Sequence, residues 1–321
     1  MPPIGVIDFY GLRTISQEQI RQKLQIKEGD SIPEDFRKFK KDARQRLQSL
    51  PKAAEAHLNF VCCDADKTIL WVGIREEGSP ALTFRAAPRG KVRLPKEIVK
   101  AGEAFEAAFL EAMQKHDFAE DESQGYALGH YPPVHAVQEN FITLAAKHLS
   151  ILRNVLNNSG NAKQRALAAQ VIAYSADRPG IVPDLVVAIR DPDGEVRNNA
   201  MRALGLMAEY GQEHPESQVH IPAEPFVDML NSIDWTDRNK SLMNLATLTE
   251  KRDPVLLTLL RRQALPSLIE MARWKLRGYA LPACAIVARI GDLPEAEIEK
   301  KCGESDREAV IAAALKAEKT N

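Results

Sequence analysis

Two tryptophans with charged neighbours are the side chains best suited to chemistry: Trp235 beside Asp237 and Arg238, and Trp274 between Arg273 and Lys275. Aromatic, carboxylate and guanidinium groups together can hold a planar ligand such as a base. Asp8, in the first apolar run, is the remaining binding candidate. The plainer reading packs each tryptophan at a junction between helices, with Arg and Asp paired beside it. His130, His135 and Glu139 raise the question of a metal. His135 and Glu139 stand i,i+4 at a helix start, but His130 lies across two prolines and no His-Glu-x-x-His occurs. Neither a metal nor any other cofactor is expected. There is also no Gly-x-Ser-x-Gly, no phosphate-binding Gly loop and no Cys paired with His at a recognisable spacing. The chain reads as a binder without catalytic residues.

The elements that must position these residues fall in three stretches. In residues 1–77, Ile4–Tyr10 reads as a strand ended by Gly11, and Ser16-Gln17-Glu18-Gln19 is a capping box opening a helix with Ile20 and Leu24 on one face. Pro33 opens a second helix, to about Leu50, with an inner stripe of Phe36, Phe39, Ala43 and Leu47. Ala56, Leu58, Phe60 and Cys62 alternate in a second strand, Asp64–Lys67 turns, and Thr68–Glu76 is a third. The expectation is a β-α-α-β-β module with Phe9, Leu24, Phe39, Leu58, Phe60 and Leu70 in one core. Its second helix carries Arg37, Lys38, Lys40, Lys41, Arg44 and Arg46, a solvated face or a patch for an acidic partner or lipid head groups.

Residues 78–133 read as a connector: loop, one amphipathic helix from Pro95 to about His116, then a polar stretch from Asp117 to Tyr131. Arg85, Arg89, Lys91 and Arg93 give its loop an exposed basic character. Residues 134–321 read as all-helical. In Asp191–Gly205, Asp-Pro turns the chain, Asp193 caps a helix, and Val196, Ala200, Ala203 and Leu204 form its inward stripe. Asn161–Ile172 repeats that pattern earlier in the chain, setting Arg165 over Arg197 and Ala168 over Ala200. Asp234–Met243 repeats it later, setting Asp234 over Asp191. Leu276–Gly291 is a further helix of this kind, and Asp306–Leu315 is the last helix, on a polar end cap. Tyr210–Ile221 is the one long inserted loop.

The stretch Asp191–Gly205 resembles the second helix of a HEAT repeat, a hairpin that buries its apolar face by stacking on copies of itself. Four to five such hairpins follow, an all-α HEAT-type superhelix. The β-α-α-β-β order, with Phe9–Ser16, Leu24–Asp30 and Glu76-Glu77, resembles a POTRA (polypeptide-transport-associated) domain. The whole is similar to bacterial HEAT-repeat proteins with an N-terminal POTRA-like domain. That resemblance implies a cell-envelope place and a domain that adds extended peptide to a sheet edge. HEAT-like DNA glycosylases hold a damaged base with Trp, Asp and Arg, which keeps Trp235, Asp237, Arg238 and Trp274 in view.

Composition narrows the choice. The 321 residues are 45% hydrophobic and 27% charged, with a formal net charge of −1. That balance gives no global pull toward nucleic acid or an anionic membrane. No apolar run is long enough to span a bilayer. Met1-Pro2-Pro3-Ile4 carries no basic or apolar leader, so the chain is expected to be exported if a signal peptide has been removed and cytoplasmic if Met1 is native. Cys62, Cys63, Cys284 and Cys302 lack Cys-x-x-Cys spacing and are expected to be idle thiols. The function expected is a non-enzymatic scaffold that binds a polypeptide at the sheet edge, in the superhelix groove, or at both. The alternatives are a HEAT-type, lyase-like enzyme handling a cofactor and a nucleic-acid binder.

Overall fold

The computed structural model describes residues 2–303 and 306–317. In chain order it holds β1 (Ile4–Tyr10), α1 (Gln17–Leu24), α2 (Phe36–Gln48), β2 (Ala53–Asp64) and β3 (Lys67–Glu76). Then come α3 (Lys96–Gln114), β4 (Glu120–Asp121), β5 (Leu128–Gly129), α4 (Pro132–Asn158), α5 (Ala162–Ile172), α6 (Arg178–Ala188) and α7 (Gly194–Glu213). The rest is helical: α8 (Glu224–Met229), α9 (Trp235–Leu248), α10 (Pro254–Ala272), α11 (Arg277–Ile290), α12 (Glu295–Gly303) and α13 (Arg307–Ala317). An α+β module thus leads into paired helices of the HEAT type. Compactness follows a different line from element type. Met1–Leu82 and Phe226–Asn321 form one unit, and Thr83–Pro225 forms the other.

In the first unit, β3 is the central strand, parallel to β1 and antiparallel to β2. Local signals set the flanking helices. The Ser16 hydroxyl accepts from Gln19 N–H at 3.3 Å while Gln19 Oε1 accepts from Ser16 N–H at 2.9 Å, closing the capping box. Asp35 accepts from Lys38 N–H, so α2 begins at Phe36 rather than at Pro33. Leu70, Val72 and Ile74 of β3 face α1 and α2 in one core with Phe9, Ile20, Leu24, Leu47 and Leu58. Phe39 and Phe60 pack against that core at its margin. Period-two alternation sends Ile69, Trp71 and Gly73 to the opposite face, and that face is buried too. Gly73 is required there: a Cβ would stand 2.4 Å from Cε2 of the Tyr10 ring lying over it. Behind β3, the Glu76 carboxylate collects the N–H groups of Arg13, Thr14 and Ile15 and the Thr14 hydroxyl. Burial alone would raise that carboxyl, but these donors outweigh it and hold it at about 2.

In the second unit, α4 packs on α5 and α6 on α7, and α5 packs on α7. Ala200 and Leu204 are fully buried, as is Ile189 just beyond α6. Asn161, Asp193 and Asp234 are the N-caps of α5, α7 and α9. Four residues after each cap an arginine turns back onto a carbonyl preceding it. Arg165 donates to Ser159 O at 2.8 Å, Arg197 to Asp191 O at 3.0 Å, and Arg238 to Ser232 O at 2.6 Å. This device puts Asp234 in register with Asp193, and corrects the alignment read from the sequence, which sets Asp234 over Asp191.

Other expectations change. Arg85 is not an exposed loop cation: it donates to Asp191 Oδ2 and to the carbonyls of Leu156 and Asn157. The polar stretch 117–131 contains the β4–β5 ribbon. α7 continues to Glu213, so the inserted loop starts later than Tyr210. Cys284 and Cys302 are not idle thiols but a disulfide joining α11 to α12, with Cα atoms 5.8 Å apart. Spacing along the chain does not report such a bridge, which depends on Cα separation across two helices. Cys62 is disulfide-bonded as well, and the side chain of Cys63 lies outside those described.

Candidate functional site

Asp8, Trp235, Asp237, Arg238 and Trp274 do come together, in the first unit, between the sheet and α9–α11. All five are buried. Trp71 of β3 is their centre, with ring centroids 5.2 Å from Trp235, 4.5 Å from Trp274 and 5.5 Å from Tyr279. Asp8 accepts from Lys275 N–H at 2.7 Å and from Phe9 N–H, while Lys275 Nζ donates to Ile7 O. Burial pushes the Asp8 carboxyl up against the pull of those two N–H groups. Asp237 accepts from the Ser232 hydroxyl at 2.7 Å. Arg238 lies over the Tyr10 ring at 4.9 Å, and the Tyr10 hydroxyl donates to Ile233 O at 2.8 Å. The residue types suited to holding a base are present, but their faces are occupied by one another. This is a joint that fastens the sheet to the helices.

Sequence reasoning missed two features of this unit. The first is a cleft of about 150 Å³ beside the joint, where Arg238 pairs with Glu270 at 3.1 Å and Leu12 N–H donates to Glu270 Oε1. Burial raises the Glu270 carboxyl, opposed first by Arg238. Serines 79 and 267 also line the cleft, and the Ser267 hydroxyl donates to Asn231 Oδ1 at 2.7 Å.

The second is the difference between the two sheet edges. The outer side of β1 is occupied: Ile4 N–H donates to Asp30 O, Gly29 N–H to Ile4 O, Ile7 N–H to Glu28 Oε1, and Lys275 Nζ to Ile7 O. The outer side of β2 is open. Among the described residues, the main chain of 54–61 has no hydrogen-bond partner except β3. α2 runs alongside, setting Lys40 and Arg44 near His57 of β2. His57 is pushed down to about 4 by burial, with Arg44 and Lys40 adding to the fall and Asp234 opposing it. Lys40 is lowered by burial and then by Arg44. Cations at an open edge discourage unselective pairing.

Elsewhere, His135 approaches Glu139 at 3.6 Å and Gly129 O through Nδ1. Among the described residues no three His, Cys, Asp or Glu side chains converge to hold a metal. No helix of these residues is long and apolar enough to cross a membrane.

Residues 149–246 match the HEAT repeats family. No curated protein matches the chain. Among solved structures, the designed armadillo repeat protein YIII(Dq)4CqI is 17% identical, covering 61% of this chain and 98% of its own at a TM-score of 0.37. A second design, YIII(Dq.V1)4CPAF in complex with the peptide (KR)4, is 16% identical over 61% of this chain and 97% of its own, at 0.37. An engineered protein, Northeast Structural Genomics Consortium target OR329, is 15% identical over 70% and 98%, at 0.39. The sheet module lies outside the residues 149–246 that match the family.

Proposed function

We propose that this protein is a non-enzymatic scaffold that takes an extended polypeptide as a fourth strand on β2. The observation that carries the reading is the open outer edge of β2 beside the closed edge of β1. An edge strand without a partner on its outer side offers a row of N–H and C=O groups, and main-chain pairing supplies affinity at such an edge. The β-α-α-β-β order supports the POTRA-like resemblance, in which the module binds peptide in this way. A photo-cross-linking residue placed at Ala54 or at Val61 of the full chain should capture the same polypeptide from the protein's own cells. The same residue at Val255, exposed on α10, should not. Co-purification of a small molecule or nucleic acid, with no polypeptide captured at either β2 position, would sink the reading.

The place of action belongs to the same proposal: the cell envelope, outside the reducing cytoplasm. The Cys284–Cys302 disulfide supports it, because such bridges persist in oxidising compartments. In cells quenched with acid and treated with a thiol alkylator, both cysteines should stay unmodified until a reductant is added. Complete alkylation before reduction would put the protein in a reducing compartment.

A further inference from the structure

The largest apolar side chains left in solvent are concentrated on the end of one helix of the second unit and the residues just past it. Phe109 is 39% exposed, Leu110 59%, Met113 38% and Phe118 51%, all close together at the end of α3. Four of the eight large apolar side chains exposed among the described residues stand here, so the cluster is a patch and not scatter. The inner face of α3 explains why these residues point outward. Ile98, Ala101, Gly102, Ala108 and Ala112 are its buried positions; toward its end these are the small Ala108 and Ala112, which pack with Val134 of α4, and Phe105 stacks on Phe109 at 5.8 Å. At this end of α3 the larger side chains Phe109, Leu110 and Met113 are on its outer side. Between Phe109, Phe118, Tyr131 and Val134 lies a cleft of about 100 Å³, room for a single aliphatic side chain.

The rim of this patch is acidic. Glu106 stands one turn before Leu110 on the same face of α3, and Asp117 and Glu120 line the cleft. Glu195 is raised by burial and then by the carboxylates of Asp193 and Glu106, so negative charge is crowded at the Glu106 end. Lys163 acts on Glu195 in the opposite sense, and two cations nearer the cleft are engaged. Lys115 donates to the Tyr131 hydroxyl at 2.8 Å, and Arg202 is held by Glu120 and Glu122.

We infer that the outer face of α3 is a docking surface for a cationic amphipathic helix, whose apolar stripe covers Phe109, Leu110, Met113 and Phe118 and whose Lys or Arg residues meet the acidic rim. Flexible Met and Phe side chains repack around such a stripe, and a helix seated on a groove presents apolar anchors at i, i+3 and i+7 with charge on either side. Charge selects this occupant over two others. A second copy docking patch to patch would set acid against acid across a twofold axis, and an anionic membrane would repel the same rim.

The probe is a fluorescein-labelled helical peptide of Leu and Lys in an amphipathic pattern, with the same pattern in Leu and Glu as control, read by anisotropy on the full chain. The Leu/Lys peptide should bind, and about tenfold more weakly to Leu110→Asp and to Phe118→Ser. Val255→Asp, at a side chain more exposed still but distant in sequence, should leave binding unchanged. Glu106→Lys should weaken binding several-fold, with a shallower dependence on salt than wild type. Leu110 and Phe118 are solvent-facing, and circular dichroism of both variants checks that the fold is retained. Equal affinity for Leu110→Asp and wild type, or equal binding of the Leu/Glu peptide, overturns the proposal. A concentration-dependent dimer that Leu110→Asp dissolves in sedimentation also overturns it, giving the patch to a second copy. Flotation with zwitterionic vesicles that Leu110→Asp abolishes overturns it too, giving the patch to a membrane.

Discussion

Asp191→Ala should destabilise the protein by about 3–5 kcal/mol, the range expected when a buried charge pair loses one partner. The carboxylate is fully buried. Oδ1 accepts from Arg165 Nη2 at 2.7 Å and from Asp193 N–H at 3.0 Å. Oδ2 accepts from Arg165 Nε at 2.9 Å and from Arg85 Nη2 at 2.5 Å. Removing it strands one guanidinium in the interior between α5 and α7 and a second, half-buried, at its margin. It also frees the turn that places Asp193 as the cap of α7. Urea unfolding followed by far-UV circular dichroism measures the loss, and a midpoint unchanged from wild type would refute it. The pH dependence has a definite sign. Burial pushes the Asp191 carboxyl up, but the bonds from Arg165 and Arg85 bring it net below its ordinary value of 3.8. A depressed pKa means that the stabilisation is present above 3.8 and is lost as pH falls through the lower folded value. The gap between wild type and the variant should therefore narrow in acid.

Trp71→Ala should cost a comparable amount, about 3–5 kcal/mol, for a different reason. Here the loss is volume. Trp71 is fully buried against Trp235, Trp274 and Tyr279, and α9 and α11 cannot close on the space left by an indole without leaving the sheet. Its Nε1–H is buried without a hydrogen-bond partner among the described residues, so Trp71→Phe gives up area but also relieves an unmet donor. The phenylalanine variant should lose less than half of what the alanine variant loses. Trp235 and Trp274 fluorescence in urea reports on this unit, since all three tryptophans lie in it. Equal losses for Phe and Ala would show that packing is not the source.

These residues differ in how far the sequence reveals them. The Ser16–Gln19 capping box, the Asp193 cap and the apolar stripe through Ala200 and Leu204 are local devices, spaced within a turn or two, and each forms where its spacing places it. The alternation Ala56, Leu58, Phe60 likewise identifies the core face of β2. The run Ile69-Leu70-Trp71-Val72-Gly73-Ile74 is apolar at every position, which says that both faces are covered without saying by what. Trp235 and Trp274 are legible as side chains suited to binding. Their burial depends on β3, which is made near the other end of the chain, and no window of sequence spans that distance. Arg85 reads as loose loop charge for the same reason, its partner Asp191 being 106 positions on. The open edge of β2 is foreseeable only as one of a pair of edges. That β1 is closed follows from Glu28, Gly29 and Asp30 folding back on it, and from Lys275 arriving just ahead of α11.

The first unit is built from the two ends of the described chain, and this sets an order of events during synthesis. Trp71 leaves the ribosome early, while the helices that cover it begin only at Trp235. At ~5–20 residues per second the wait is on the order of ten seconds. Through that interval the nascent sheet has one face covered by α1 and α2 and the other bare, with Trp71 and Ile69 in water. Residues 83–225 can finish folding meanwhile. The earliest strands made are thus among the last to be sealed, and a nascent-chain holdase would find its substrate at this sheet.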